Sequence, residues 1–395
     1  MPTHYYVDPG GGSDSTGDGS IGTPWASIQH ALDTITRNST DGDQINLKAG
    51  AADVLAAPLS LATYGTPTYL APLVIRGYSN EPNDRGMGAI HPSGAFSCID
   101  NSFTYVLLAD LEFSCLPNSY ALSSTGTQMH VYRCQVTGGG RGISLSGMGV
   151  SVVGCYVEVS SGAGISIGHG SVIGCYVKEP ILNSWDAFEP WNAKGIRTTG
   201  TGTNVVMGNV VLLNNNVTNQ QDGIAITRGH GSVVSQNAVI NLAAGRGKGI
   251  SMANVYQADL RMTQVFNNIV AGFSGTGGVG IGVTGSNLTI ALMVAHNALY
   301  NIATPYSYNH IAPLLAFDNI TLDADPFVDA ANGDFRLTDA AQAVLRSAGW
   351  PTGYLGMDAA IDPHITIGAL QYGPTPTGGG GGSGAIRRVA RILGG

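Results

Sequence analysis

Charge is what this chain has least of. Of its 395 residues only 11% are Asp, Glu, Lys or Arg, against roughly 25% in an ordinary soluble domain. The formal net charge is −8. Nothing here makes the electrostatic footprint that nucleic acid or an anionic membrane surface requires, and neither is expected as a partner. Long hydrophobic runs are missing too. No apolar stretch reaches the length of about eighteen residues that a membrane span needs, so no transmembrane helix is expected. The opening Met1-Pro2-Thr3-His4-Tyr5-Tyr6-Val7 has no basic segment followed by an apolar one and does not read as a secretory signal. The expected location is a virion surface, or the extracellular space by a route without a signal peptide. Paired cysteine motifs are absent. Five cysteines, an odd number, occur without CxxC or a Cys/His cluster. This argues against a disulfide framework and a zinc site, and no metal ligand set is expected.

Glycine, by contrast, is abundant: 57 residues of 395, about twice the usual share of roughly 7%. Hydrophobic content is 43%, too high for a disordered chain. Glycine together with many short β-branched runs indicates all-β structure with frequent tight turns.

Those runs repeat. Cys98, Cys115, Cys134, Cys155 and Cys175 follow one another at steps of 17, 19, 21 and 20. Three share a phrase: Tyr132-Arg133-Cys134-Gln135-Val136, Val153-Gly154-Cys155-Tyr156-Val157 and Ile173-Gly174-Cys175-Tyr176-Val177. Asparagine then takes the cysteine slot in Asn215-Asn216-Val217, Asn237-Ala238-Val239, Asn268-Ile269-Val270 and Asn297-Ala298-Leu299, with Asn319 as one more. A Gly-Ile pair keeps step at Gly142, Gly164, Gly195, Gly223, Gly249 and Gly280, before each turn. A period of about 20 to 30 residues marks a solenoid. Short turn-bounded strands leave no room for a helix in most repeats, which selects a parallel β-helix. Connections between parallel strands are nearly always right-handed. The cysteines are expected to point inward, one per coil. The asparagines are expected to form an amide ladder at a tight turn, where Asn tolerates left-handed backbone.

The fold expected is therefore all-β, a right-handed parallel β-helix with an N-terminal capping helix, a C-terminal cap and a flexible tail. Residues 1–40 form the N-terminal strand and capping helix. There Thr23-Pro24-Trp25 reads as N-cap, first-turn proline and helix start, and Trp25, Ile28, Ala31, Leu32 and Ile35 share a helical face. Residues 41–324 form the β-helix and 325–372 the C-terminal cap, with a short helix from Asp339 to Ala348 and a last strand from Ile365 to Leu370. Residues 373–384 are a Pro/Thr/Gly linker. Residues 385–395 are a basic amphipathic tail. Within it Ile386, Val389, Ala390 and Leu393 share helical spacing, and Arg387, Arg388 and Arg391 lie mostly opposite. So short a helix is marginal in water, and a frayed tail, a peptide that docks on a larger assembly and a membrane-surface helix all fit it.

The phrases Tyr5-Tyr6-Val7-Asp8, Gly12-Ser13-Asp14, Thr23-Pro24-Trp25, Gly42-Asp43-Gln44-Ile45 and Val74-Ile75-Arg76-Gly77-Tyr78 resemble those of pectate-lyase-like right-handed β-helix proteins. So do Asp325-Pro326-Phe327-Val328, Gly333-Asp334-Phe335-Arg336-Leu337 and Ile367-Gly368-Ala369. The resemblance covers roughly residues 5 to 372. That superfamily includes polysaccharide lyases, glycoside hydrolases, epimerases, phage tailspikes and non-enzymatic surface proteins, so fold alone does not choose an activity.

Aligning the residue before each Gly-Ile gives Arg141, Ala163, Lys194, Asp222, Lys248 and Val279. Lys194, Asp222 and Lys248 thus form one column in a chain poor in charge, with Arg197, Arg228 and His230 close by in sequence. A solvated, salt-bridged ladder would account for the column, as would a groove for an acidic polysaccharide. The resemblance implies a lyase base of Arg or Lys type, for which Arg197, Arg228, Lys194 or Lys248 would serve, with calcium as cofactor where acidic groups hold it. No obvious cluster of Asp accompanies these residues. The insert Trp185-Asp186-Ala187-Phe188-Glu189-Pro190-Trp191 offers aromatic faces for sugar rings and two carboxylates for glycosidic cleavage; a loop folded onto the rod by its own aromatics would account for it equally. A hydrolase would need Asp186, Glu189 or Asp222 to converge. Gly229-His230-Gly231 is similar to a motif of polygalacturonase-like hydrolases, but Gly168-His169-Gly170 repeats the phrase as repeat grammar would. Asp14-Ser15-Thr16-Gly17-Asp18 reads as a polar turn rather than a cation loop.

Two readings follow. One is a surface-displayed structural or carbohydrate-binding module of tailspike, fibre or capsid-decoration type, anchored by its tail and compatible with a homotrimer. The other is a polysaccharide lyase or glycoside hydrolase acting on an acidic polysaccharide. The absent signal, the linker with its docking-like peptide and the incomplete catalytic signature favour the first. The Lys194–Asp222–Lys248 column and the Trp185–Trp191 insert favour the second.

Overall fold

Short β-branched runs become strands here, and almost every strand pairs in parallel with one a single coil away. The computed structural model of the protein describes residues 1–349, apart from 102, 160–161, 180–193, 201, 215–220, 228, 244, 254–259, 262, 285–288, 309–311 and 346–347. Two units are distinguished, Met1–Ser171 and Val172–Gly395. No helix among the described residues is long and apolar enough to cross a membrane.

The first unit opens with Thr3–Val7, which pairs in parallel with Asp43–Lys48. Leu73–Tyr78, Val106–Ala109, His130–Tyr132 and the second half of Arg141–Val153 continue that sheet. A second parallel sheet runs through Ala52–Leu55, Gly88–Pro92, Leu111–Cys115, Gln135–Gly138 and Tyr156–Val159. The helix Ile28–Thr34 packs on the first two strands. Its N-cap is Ser27, whose hydroxyl accepts from the His30 N–H, not Thr23. Trp25 is held extended by backbone bonds to Tyr6 and Asp8, so the helix cannot start there. The Asp53 carboxylate accepts the Ile28 N–H, and burial raises the pKa of that carboxyl. The Asp14 and Asp18 carboxylates accept from Ala26, Ser27, Ser20 and Thr23, which makes that segment a polar turn.

The second unit stacks three parallel sheets. One contains Lys194–Thr198, Gln221–Ile226, Gly247–Ala253, Gly278–Thr284 and Thr304–Tyr308. The next contains Val205–Met207, Val233–Ser235, Thr263–Phe266, Thr289–Ala295 and Ala312–Phe317. The third runs from Tyr176–Glu179 through Val210–Leu213, Ala238–Asn241, Ile269–Ala271 and Ala298–Tyr300 to Ile320–Leu322.

The Gly-Ile beat explains how the coils close. Ile196, Ile224, Ile250 and Ile281 are in register, and all are fully buried. Each such burial stabilises by about 1.5–3 kcal/mol. The glycines lie within strands and are required by space, not by a turn. A Cβ on Gly195, Gly223 or Gly249 would fall 2.1–2.2 Å from Cγ1 of Val211, Val239 or Val270 on the facing sheet. Gly223→Ala should therefore cost about 1–3 kcal/mol through overpacking, because a β-branched neighbour cannot rotate away. Urea unfolding of the full chain measures this; an unchanged midpoint would contradict it.

The polar ladder is real but shifted. Cys134, Cys155 and Cys175 share one slot, where the thiols donate to backbone carbonyls such as Leu108, Val131 and Ile173. Cys98 and Cys115 occupy other positions; Cys115 aligns with Gly138, beyond the slot. Asn209, not Asn215 or Asn216, takes over from cysteine, its Oδ1 accepting the Cys175 N–H at 2.8 Å. Residues 215–220 lie outside the described residues. Asn209, Asn237, Asn268, Asn297 and Asn319 then link side chain to side chain, each step 2.9 Å. The left-handed backbone belongs to the residue before each ladder member: Gly174, Gly208, Gln236, Asn267, His296 and Asp318, at φ between 51° and 68°. The ladder amides keep ordinary backbone and satisfy buried groups on both neighbouring coils.

Past the last coil, Phe327–Asp329 and Asp334–Leu337 form an antiparallel pair, followed by the helix Asp339–Leu345. Phe327, Phe335, Leu337, Ala341 and Leu345 pack on Val210, Leu212, Ala238, Ile240, Ile269 and Ala271. These are the residues alternating with the inward Val211, Val239 and Val270, so this segment covers the outer side of the third sheet.

Candidate functional site

The strands Lys194–Thr198, Gln221–Ile226 and Gly247–Ala253 put the charged column on one face. Lys194 pairs in register with Asp222, and Asp222 with Lys248. In each strand two inward residues, the Gly-Ile pair, separate two outward positions. The outward positions are Lys194 and Arg197, Asp222 and Ala225, and Lys248 and Ser251, with Arg197, Ala225 and Ser251 also in register. Ser251 is a site residue missed in the sequence; its signal was that it lies three residues after Lys248, as Arg197 lies three after Lys194.

This is not a solvated ladder. The side chains of Lys194 and Asp222 are each only 11% exposed, and Lys194 Nζ donates to Asp222 Oδ2 at 2.5 Å. Ser251 Oγ donates to the same oxygen at 2.7 Å, and the Lys248 backbone N–H reaches Oδ1 at 3.2 Å. The carboxylate is thus fully engaged, as a buried charge must be.

Lys248 differs. Its Nζ makes no ion pair or hydrogen bond among the described residues. On its far side it is in register with Val279, and its methylenes lie over Gly282. Burial holds the Lys248 amine below the ordinary lysine range; Asp222 opposes this and Lys194 adds to it. An amine with a lowered pKa gives up its proton more readily than an ordinary lysine, and is to that extent better fitted to act as a base.

The remaining expected residues divide as follows. His230 lies in a separate two-stranded parallel ribbon, Gly229–His230 with Leu260–Arg261, in register with Arg261. Arg228, Trp185, Asp186, Glu189 and Trp191 lie outside the described residues, as do Ile386, Arg387, Arg388, Val389, Arg391 and Leu393 of the tail. Calcium does not fit the described part of this site. Its single described carboxylate is taken up by Lys194 and Ser251, and no three His, Cys, Asp or Glu side chains converge among the described residues.

No family model matches the chain, and no curated protein matches it. Solved structures do. The chain is similar to the pectate lyase Pel9A, with a TM-score of 0.59 and 14% identity over 94% of this chain and 97% of that one. It is similar to a glycoside hydrolase, at 0.58 and 10% over 86% and 100%. It is also similar to a rhamnogalacturonan lyase, at 0.54 and 13% over 87% and 98%. At these identities the likeness establishes the fold alone: a right-handed parallel β-helix.

Proposed function

We propose that the chain cleaves an acidic polysaccharide by β-elimination, with Lys248 as the base. The observation that carries this is the half-buried Lys248 amine, unpaired among the described residues beside a carboxylate already neutralised by Lys194. In the step, the neutral amine takes the proton α to a uronate carboxylate. The C–H electrons form the new C=C bond, the glycosidic C–O bond breaks, and the departing oxygen is protonated from solvent. Arg197, three residues along the neighbouring strand, is placed to neutralise the uronate carboxylate, where a guanidinium fork matches the planar anion. Lys194 acts as a positioning residue: by holding Asp222 it keeps that charge from clamping Lys248 in its protonated form.

Hydrolysis fits less well, because it needs two convergent carboxylates and the only described one, Asp222, is already bonded to Lys194 and Ser251. The structural similarity to two lyases supports elimination as a class but not a particular glycan.

The test is a panel of uronate polymers scored for unsaturated ends by ultraviolet absorbance. At least one polymer should give product, and Arg197→Ala should raise KM on it. Activity should rise with pH through the lowered pKa of Lys248, since only the deprotonated amine accepts a proton. A panel without unsaturated product leaves glycan binding without cleavage as the function and overturns the lyase reading.

Display on a larger assembly is a separate proposal, resting on the linker 373–384 and the amphipathic 385–395. Deleting 386–395 should release the chain from particles that carry it, and undiminished incorporation would contradict docking.

A further inference from the structure

A second set of polar side chains lies in the first unit, on the outer face of Leu73–Tyr78, Val106–Ala109, His130–Tyr132 and Arg141–Val153. Ile75, Leu108, Val131 and Val152 of these strands are buried inward. The alternating positions therefore carry Arg76, His130, Tyr132 and Ser151 outward. Arg76 aligns with Ala109 and Ala109 with Tyr132, while His130 aligns with Ser151. Asp110 and Arg133 follow at the left-handed turn position, φ 55° and 51°.

Asp110 organises the group. Its side chain is 4% exposed and accepts a two-pronged contact from Arg133, Nε to Oδ1 at 2.7 Å and Nη2 to Oδ2 at 2.6 Å. Arg76 Nη2 reaches Oδ2 at 2.9 Å, and Arg76 Nη1 also donates to Asn83. Two guanidiniums thus share one carboxylate. A single arginine would neutralise Asp110, so the second leaves one positive charge in excess. Both arginines reach solvent, at 18% and 20% exposure. Arg133 lies over Tyr132, its guanidinium carbon 4.3 Å from the ring centroid. Its guanidinium also donates to the Tyr132 side chain. Two residues from Tyr132 on the same face, His130 Nδ1 and Ser151 Oγ are 2.6 Å apart. Burial pushes the His130 pKa down, so this pair is polar but uncharged near neutrality.

We propose that this face binds an anionic sugar unit, a uronate or a sulfated sugar. Arg133 and Arg76 take the charge, the Arg133–Tyr132 stack takes the ring, and the His130–Ser151 pair takes hydroxyls. The components suit that chemistry: two fixed guanidiniums in excess over one carboxylate for the anion, an Arg–Tyr surface for a sugar ring and paired donors and acceptors for hydroxyls. The proposal does not rest on the lyase reading, since Lys248 belongs to the other unit.

Calorimetry on the full chain carrying Lys248→Met, which removes cleavage, tests it. The probes are trigalacturonate, a sulfated galactan trisaccharide and neutral galactotriose. At least one anionic probe should bind and the neutral one should not; which anion binds separates carboxylate from sulfate recognition. Arg133→Lys, which keeps the charge but loses the fork, should weaken one binding event about tenfold or more. Tyr132→Ala should weaken the same event, which guards against a folding defect in either variant alone. The proposal is overturned if no anionic probe binds, if both variants bind like the parent, or if the only binding event is lost with Arg197→Ala instead. A chain without lyase activity that still loses this binding in Arg133→Lys separates the two proposals.

Discussion

Lys248→Met is expected to lower turnover on a susceptible uronate polymer by about 10²- to 10⁴-fold, the usual contribution of a positioned general base, while KM moves only slightly. Methionine keeps the length and apolar stem that lie over Gly282 and removes only the amine. The fold should be undisturbed, because Lys248 makes no side-chain bond among the described residues whose loss would orphan a buried partner. Lys194→Met separates the roles further. Without its partner, Asp222 would face Lys248 with an uncompensated charge and raise its pKa, shifting the rising limb of the pH–rate profile to the alkaline side. Steady-state rates of unsaturated-product formation across pH check both. Full activity in Lys248→Met would remove the base from the account.

Asn237→Leu is expected to destabilise the second unit by at least about 3 kcal/mol. The amide Nδ2 of Asn237 donates to the Val206 carbonyl at 2.9 Å and to Asn268 Oδ1 at 2.9 Å. Its Oδ1 accepts from the Asn209 N–H at 3.0 Å and Asn209 Nδ2 at 2.9 Å. All of these groups are fully buried. Leucine fills the volume and leaves several of them unsatisfied, each costing about 1–3 kcal/mol. Cys155→Ala, at the equivalent slot of the first unit, should cost only about 1 kcal/mol, because a thiol is a weak donor and a small hydrophobe. Urea unfolding of the intact chain distinguishes them; equal effects at the two positions would mean that the amide ladder adds nothing beyond packing.

Much of the register was legible in the chain. The Gly-Ile beat and the phrase around Cys134, Cys155 and Cys175 aligned the coils well enough to place Lys194, Asp222 and Lys248 in one column. What failed did so where local pattern is degenerate. Asn209-Val210 and Asn216-Val217 satisfy the same phrase, and only the hydrogen bond to Cys175 chooses between them. Cys98 and Cys115 matched the spacing because coils vary by a few residues, so equal steps do not guarantee equal positions. Thr23-Pro24 has the composition of a helix start, but pairing of Trp25 with Tyr6 and Asp8 takes the backbone first. The Arg76–Asp110–Arg133 group was missed because its members lie 34 and 23 residues apart. Its trace was there: Asp110 precedes Leu111 as Arg133 precedes Cys134, at the same turn. The depth at which the charged column is buried was invisible to any pattern, and it is what turns a surface ladder into a candidate base.

The most direct measurement is the pKa of the Lys248 amine in the intact chain, followed by NMR at the side-chain Cε and Nζ and assigned by its loss in Lys248→Met. The amine is expected to titrate below the ordinary lysine value of about 10.4, coinciding with the rising limb of the elimination rate. Titration at or above that value would show an ordinary solvated ammonium and contradict the assignment of Lys248 as the base.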